Sequence, residues 1–203
     1  MDKQGQVQTG AGQSSDIRAQ VEALLGDEPD RIKADLEQAV RESQAAEGSG
    51  AESAGRIGSR QGTVSELTLI TPFKPGGADR LRGIVKLLHG TFKTTDRVGT
   101  VHDMRFVFLD NDTKLLFATA YDGDWDPYIN DFATKIPDEL DLLFAGQEGW
   151  PGIRSPEVKD WIAKHQISAE GWYVANPTMT VKDVIRAQNI TQAFDALLDS
   201  ASS

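Results

Sequence analysis

The chain has 203 residues, 39% of them hydrophobic and 26% charged, with a formal net charge of −10, enough for one ordinary domain and some further chain. That acidic balance excludes phosphate-backbone binding through a basic patch. The absence of cysteine excludes disulfides, thiolate metal sites and cysteine nucleophiles. No apolar run approaches the ~20 residues of a membrane span, and Met1-Asp2-Lys3-Gln4 lacks the apolar core of a secretory signal. A soluble, cytoplasmic protein is expected.

Residues 1–62 hold none of the Phe, Trp or Tyr. Low hydrophobicity makes disorder the expected state there, interrupted by two helical islands. Ile17, Val21, Leu24 and Leu25 follow helical spacing, with Ser15 as a possible cap and Gly26 as a stop; Ile32, Leu36, Ala39 and Val40 repeat the spacing. Such short helices are marginal alone, so residues 16–42 are either nascent helices or a docking segment for a protein partner. Glu47 to Gly62, rich in Gly, Ser and Ala, reads as a flexible linker.

The domain is expected over residues 63–200. Ser65 to Phe73 alternates as a strand, and Asp79 is the expected cap of a helix with the stripe Leu81, Ile84, Val85, Leu88 and Phe92. His89 should close that helix before Gly90. Val101–Leu109 and Leu115–Tyr121 form a hairpin about Asp110-Asn111-Asp112-Thr113. Three helices should follow. The first carries Trp125 to Ile136 with Asp126 as cap, the second spans Glu139 to Ala145, and the third begins at Ser155-Pro156. Glu170 to Ala175 is the expected last strand, and Thr180 caps a last helix.

This order implies an α+β fold, a ferredoxin-like βαββαβ four-stranded antiparallel sheet with extra helices. One sheet face would stay uncovered, and a second copy is the simplest cover, so a homodimer is expected. The runs Val101-His102-Asp103-Met104-Arg105-Phe106-Val107-Phe108-Leu109-Asp110, Leu115-Leu116-Phe117-Ala118-Thr119-Ala120-Tyr121-Asp122-Gly123 and Glu148-Gly149-Trp150-Pro151-Gly152 resemble a group of uncharacterised bacterial proteins in the dimeric α/β-barrel superfamily. That superfamily includes cofactor-free antibiotic biosynthesis monooxygenases, dye-decolourising haem peroxidases and simple ligand binders. The resemblance implies small-molecule binding, with oxidoreductase chemistry as one branch and a non-catalytic ligand-binding or scaffold role as the other. It leaves haem and no cofactor equally open.

The candidate catalytic residues are His102, Arg105 and Asp122. Imidazole can serve as acid, base or haem ligand, and a guanidinium can hold an anion. Strand alternation puts positions 102 and 105 on opposite faces, which favours a structural histidine beside an ion-paired arginine. Asp122-Gly123 is similar to the peroxidases' distal motif without its leading glycine. Asp122, Asp124 and Asp126 alternate like a calcium loop, but Pro127 and Ala133 stand where glycine and glutamate are needed, so no metal is expected. His165, on an apolar helical stripe, is a core or helix-end histidine first and a candidate haem ligand second. Phe106, Tyr121, Trp125 and Trp172 are candidate pocket rings and equally candidate interface filler. No Walker loop, dinucleotide fingerprint or Gly-x-Ser-x-Gly elbow appears.

Overall fold

A computed structural model describes residues 10–45 and 52–201. By contacts the chain divides into two units, Met1–Gly48 and Ser49–Ser203. The Ser15 side chain and residues 47–51 of the expected linker lie outside what is described.

In the first unit both expected islands are helices, α1 (Gly10–Leu24) and α2 (Asp30–Ala45). Val21, Leu25, Ile32, Leu36 and Val40 are half-buried in this pair. Arg18 donates to Glu22 on its own helix at 2.8 Å and to Glu37 on α2. Those carboxylates hold the guanidinium above its ordinary pKa.

The second unit is α+β. Its five-stranded antiparallel sheet has the order β1-β2-β3-β5-β4, with β1 at Glu52–Ser53, β2 at Ser59–Gln61, β3 at Val64–Pro72, β4 at Val101–Leu109 and β5 at Lys114–Asp122. Both β3 and β4 pair antiparallel with β5, so they run parallel to each other with β5 between. Helix α3 (Gly77–Leu87) makes the crossover. The β4–β5 turn takes Asp110, Asn111 and Asp112 through left-handed φ of 50, 51 and 66°, a region that Asn and Asp tolerate better than other side chains.

Helix α3 starts at Gly77 behind a left-handed Gly76, not at an Asp79 cap; Asp79 sits in its first turn. The reason is close backbone packing: a Cβ on Gly77 would lie 2.3 Å from the Gly146 carbonyl oxygen, and Lys74 N–H donates to that same oxygen at 2.9 Å. His89 adopts φ 52° while Gly90 N–H returns to Val85 O at 2.9 Å, a helix-end motif as expected.

Helices α3, α4 (Trp125–Lys135), α5 (Pro137–Phe144) and α6 (Val158–His165) share one core with the inner sheet face. Leu67, Leu69, Leu115, Phe117 and Tyr121 meet Leu81, Tyr128, Phe132, Phe144 and Trp161 there. Helix α4 begins one residue after Asp124, not at an Asp126 cap, because its first turn is closed by Tyr128 N–H on Asp124 O at 3.3 Å; Asp126, already inside that turn, is engaged by Lys159 Nζ at 2.5 Å.

The sheet has five strands rather than four, and residues 170–175 are not among them. The chain returns to β3 only briefly, through a Leu69–Gln166 bridge and Ile167 N–H on Thr68 O at 2.9 Å. Beyond that point the β3 edge is already taken. Glu66 accepts Ser59 N–H at 3.3 Å, and β2, formed from residues expected to be linker, pairs Arg60 with Ser65 and Gln61 with Val64. Residues 170–177 therefore run outside β2 as an arm, tied by Gln61 Nε2 to Trp172 O at 2.8 Å and Thr63 N–H to Pro177 O at 2.7 Å.

Helix α7 (Val181–Ala201) ends the fold and has no buried residue. Thr180 caps it as expected: its Oγ1 accepts Asp183 N–H at 3.2 Å, and Asp183 accepts Thr180 N–H at 3.0 Å, a reciprocal box. Those bonds from Thr180 hold the Asp183 carboxyl below its ordinary pKa. No helix among the described residues is long and apolar enough to cross a membrane.

Two core phenols generate a prediction. Tyr121 and Tyr128 stack at 3.7 Å, and burial pushes both pKa values far up. Above about pH 10 the unfolded chain loses these protons while the folded chain keeps them, so stability falls as pH rises. The two differ in bonding: Tyr128 shares a 3.0 Å hydrogen bond with Thr119, whereas the buried Tyr121 hydroxyl has no partner among the described residues. Tyr128→Phe should cost about 1 kcal/mol and Tyr121→Phe should be neutral or stabilising, measured by urea unfolding. Either variant should flatten the alkaline loss. The Gly77–Gly146 contact gives a second expectation: Gly77→Ala should destabilise by about 2–3 kcal/mol, read as a lowered melting temperature.

Candidate functional site

The site is made by an irregularity in β4. Val101 pairs with Tyr121 and Asp103 with Ala120, leaving His102 as the extra residue of a β-bulge. A bulge re-aims a side chain at the end of a ladder. Val101 joins the Tyr121 side, Asp103 and Arg105 line the outer face, and His102 turns to Asp122 at the end of β5. His102 Nε2–H donates to Asp122 Oδ1 at 2.7 Å. The bond shows the expected opposition of positions 102 and 105 to be wrong, because simple alternation assumes an unbroken ladder.

Asp122 is itself held from the other side. Its Oδ2 accepts the N–H of Val181, first residue of α7, at 2.9 Å. The carboxylate side chain is 11% exposed and the imidazole 24%. With Nε2 engaged by a carboxylate, the neutral imidazole is fixed in the tautomer that leaves a lone pair on Nδ1. That nitrogen has no protein partner among the described residues.

Around it lies a pocket of about 440 Å³ between the outer sheet face and the arm. Val64, Ala120, His102, Asp103 and Arg105 form its floor, and residues 172–176 with Met179 and Val184 form its roof. Arg105 is paired with Asp103 at 2.9 Å, but both side chains are half-exposed, so a ligand anion can compete for the guanidinium at little cost.

Four expected site residues thus converge: His102, Arg105 and Asp122 share one site, and Trp172 lines its roof. The other rings do not. Phe106 stacks among Phe92, Phe117 and Phe144 at 5.1–5.9 Å. Tyr121 and Trp125 are fully buried in the core on the opposite face. His165 ends α6 with Nδ1–H on Trp161 O at 2.8 Å and its ring 4.4 Å from that of Trp161, and it lines no pocket with His102. The alternating acids scatter as well: Asp122 goes to His102, Asp124 to Arg60 and Asp126 to Lys159.

Asn176 and Met179 line the same roof as Trp172 and carry no site signal in the sequence, whereas Tyr173, beside Trp172, is one of the large rings near an expected strand end. Gly171 and Pro177, which bracket the arm, were the available signal against a strand. Comparison with protein-family models, curated proteins and solved structures found no match.

The double role of Asp122 is measurable. Asp122→Ala removes the partners of both His102 and the Val181 amide and should cost about 2–3 kcal/mol. His102→Ala leaves the amide bond intact and should cost less than about 1 kcal/mol. Parallel urea unfolding of the two variants checks the order.

Proposed function

We propose that this protein binds a small, weakly acidic aromatic molecule, a phenol or hydroquinone, in the pocket beneath the arm. The observation that carries this reading is the unpartnered Nδ1 of His102, aligned by Asp122 and set beside Arg105. The ligand hydroxyl gives its proton to Nδ1, Asp122 stabilises the resulting imidazolium, and Arg105 faces the phenolate. Trp172 supplies an apolar roof for the ring.

Such a site suits cofactor-free oxidation. A bound phenolate is more electron-rich than its phenol, so it is the species that passes electrons to dioxygen; the substrate is oxidised and the dioxygen reduced. The residues give less support to haem, since His102 is the one histidine of this pocket and its Nε2 is committed to Asp122. Oxidoreductase chemistry of this kind accords with the dimeric α/β-barrel resemblance. The order β3-β5-β4 with a helical crossover is three-quarters of a ferredoxin-like sheet, and the segment from Gln166 to Ala169 begins the fourth position beside β3 before β2 displaces it. A homodimer belongs to the same reading.

Calorimetry with 1-naphthol and 1,4-dihydroxynaphthalene, with oxygen uptake followed in parallel, tests it. Binding should weaken at least about tenfold, one hydrogen bond to a charged group, in His102→Ala. It should weaken comparably in Trp172→Ala. Binding without oxygen uptake would make the protein a ligand binder rather than an oxidase. Equal binding by wild type and both variants would remove the pocket from consideration.

A further inference from the structure

Helix α7 and the outer sheet face each need a cover, and within one chain they do not cover each other. Ala187, Ile190, Phe194, Leu197 and Ala201 recur at alternating spacings of three and four, one continuous helical stripe. Ile190, Phe194 and Leu197 are 57–62% exposed. On the outer sheet face, Ile70, Leu116, Ala118 and Leu109 are only half-buried and Val107 is 42% exposed. The arm roofs only the Asp122 end of that face.

We propose that α7 is an exchanged arm: in a homodimer, each copy lays its α7 along the outer sheet face of the other. Lengths support this. A 21-residue helix spans about 31 Å at 1.5 Å per residue, and the nine-residue strands β4 and β5 span about 30 Å at 3.3–3.4 Å per residue. The order of charges also matches. Lys182, Asp183 and Arg186 leave the start of the helix net positive and Asp195 stands toward its end, while Asp103, Arg105 and Asp122 leave one end of the face net negative and Lys114, paired with Asp110, stands at the other.

Symmetry makes the two agree. Each α7 is pinned at Val181 to its own Asp122. A two-fold axis between the two Asp122 ends therefore brings each helix in beside the partner's arm at the acidic end, lays its stripe from Ala187 onward on the uncovered part of the face, and finishes it near the partner's Lys114. The contact is isologous and closes at two copies. It rests on the homodimer of the preceding reading and not on its ligand.

The chain has no cysteine, so single substitutions in the full-length protein report contacts unambiguously. Mixing Val107→Cys with Phe194→Cys under oxidising conditions should give a disulfide-linked pair of the two different chains. Light scattering should show a dimer for wild type and a folded monomer for Phe194→Asp/Leu197→Asp, whose far-UV circular dichroism should be unchanged because both side chains are exposed within one chain, and whose melting temperature should lose the dependence on protein concentration that the wild type shows. Naphthol binding by that variant, read in the same samples, separates loss of the interface from loss of the pocket. Monomeric wild type would overturn the proposal. So would a dimer that survives the double substitution, a dimer without the mixed disulfide, or efficient self-linking of Phe194→Cys alone, which would mean that helix pairs with helix.

Discussion

One carboxylate joins parts of this molecule that lie far apart in the chain. Asp122 ends β5, and its two oxygens accept from groups in different parts of the chain: His102 Nε2–H in the β4 bulge and Val181 N–H at the start of α7. A largely buried carboxylate is tolerated when its lone pairs are filled in this way. The first bond orients the imidazole. The second fixes where the arm ends and where the last helix departs. Pocket floor, pocket roof and the last helix therefore share one anchor, and a change at Asp122 reaches all three.

The second organising constraint is competition for the edge of β3. A strand edge is a row of unpaired donors and acceptors that attracts whatever chain lies nearest. Here the nearest chain is β2, which a tight connection joins to the start of β3, and the buried Glu66 carboxylate adds a third partner by accepting Ser59 N–H. The returning C-terminal chain finds only Thr68 and Leu69 open and leaves the sheet. Because it leaves, it becomes a roof over the outer face rather than a strand within the sheet. The pocket is a consequence of that displacement.

Much of this was legible in the amino-acid sequence. The strands β3, β4 and β5, the Asp-Asn-Asp turn between the last two, the helical pair in residues 10–45 and the Thr180 cap all carry local signals, because turn chemistry, caps and apolar periodicity act within a few residues. The bulge at His102 carries none. Strand reading assumes a period of two, and one extra residue shifts the parity of everything on one side of it. That is why His102 and Phe106 look like neighbours on one face, while the folded ladder puts His102 with Asp122 and Arg105 outside and Phe106 in the core. The loss of the strand at 170–175 is likewise non-local, since it depends on the edge taken by β2 more than a hundred residues earlier.

The central claim is that Asp122 couples the His102 bulge to the start of α7. Amide hydrogen exchange resolved by residue tests it most directly. In the wild type, Val181 N–H should be protected, and Asp122→Ala should speed its exchange at least about tenfold, the loss expected for one charge-assisted hydrogen bond. The β5 amides from Leu116 to Ala120 should keep their protection. Unchanged exchange at Val181 in that variant, or an equal loss across β5, would contradict the account.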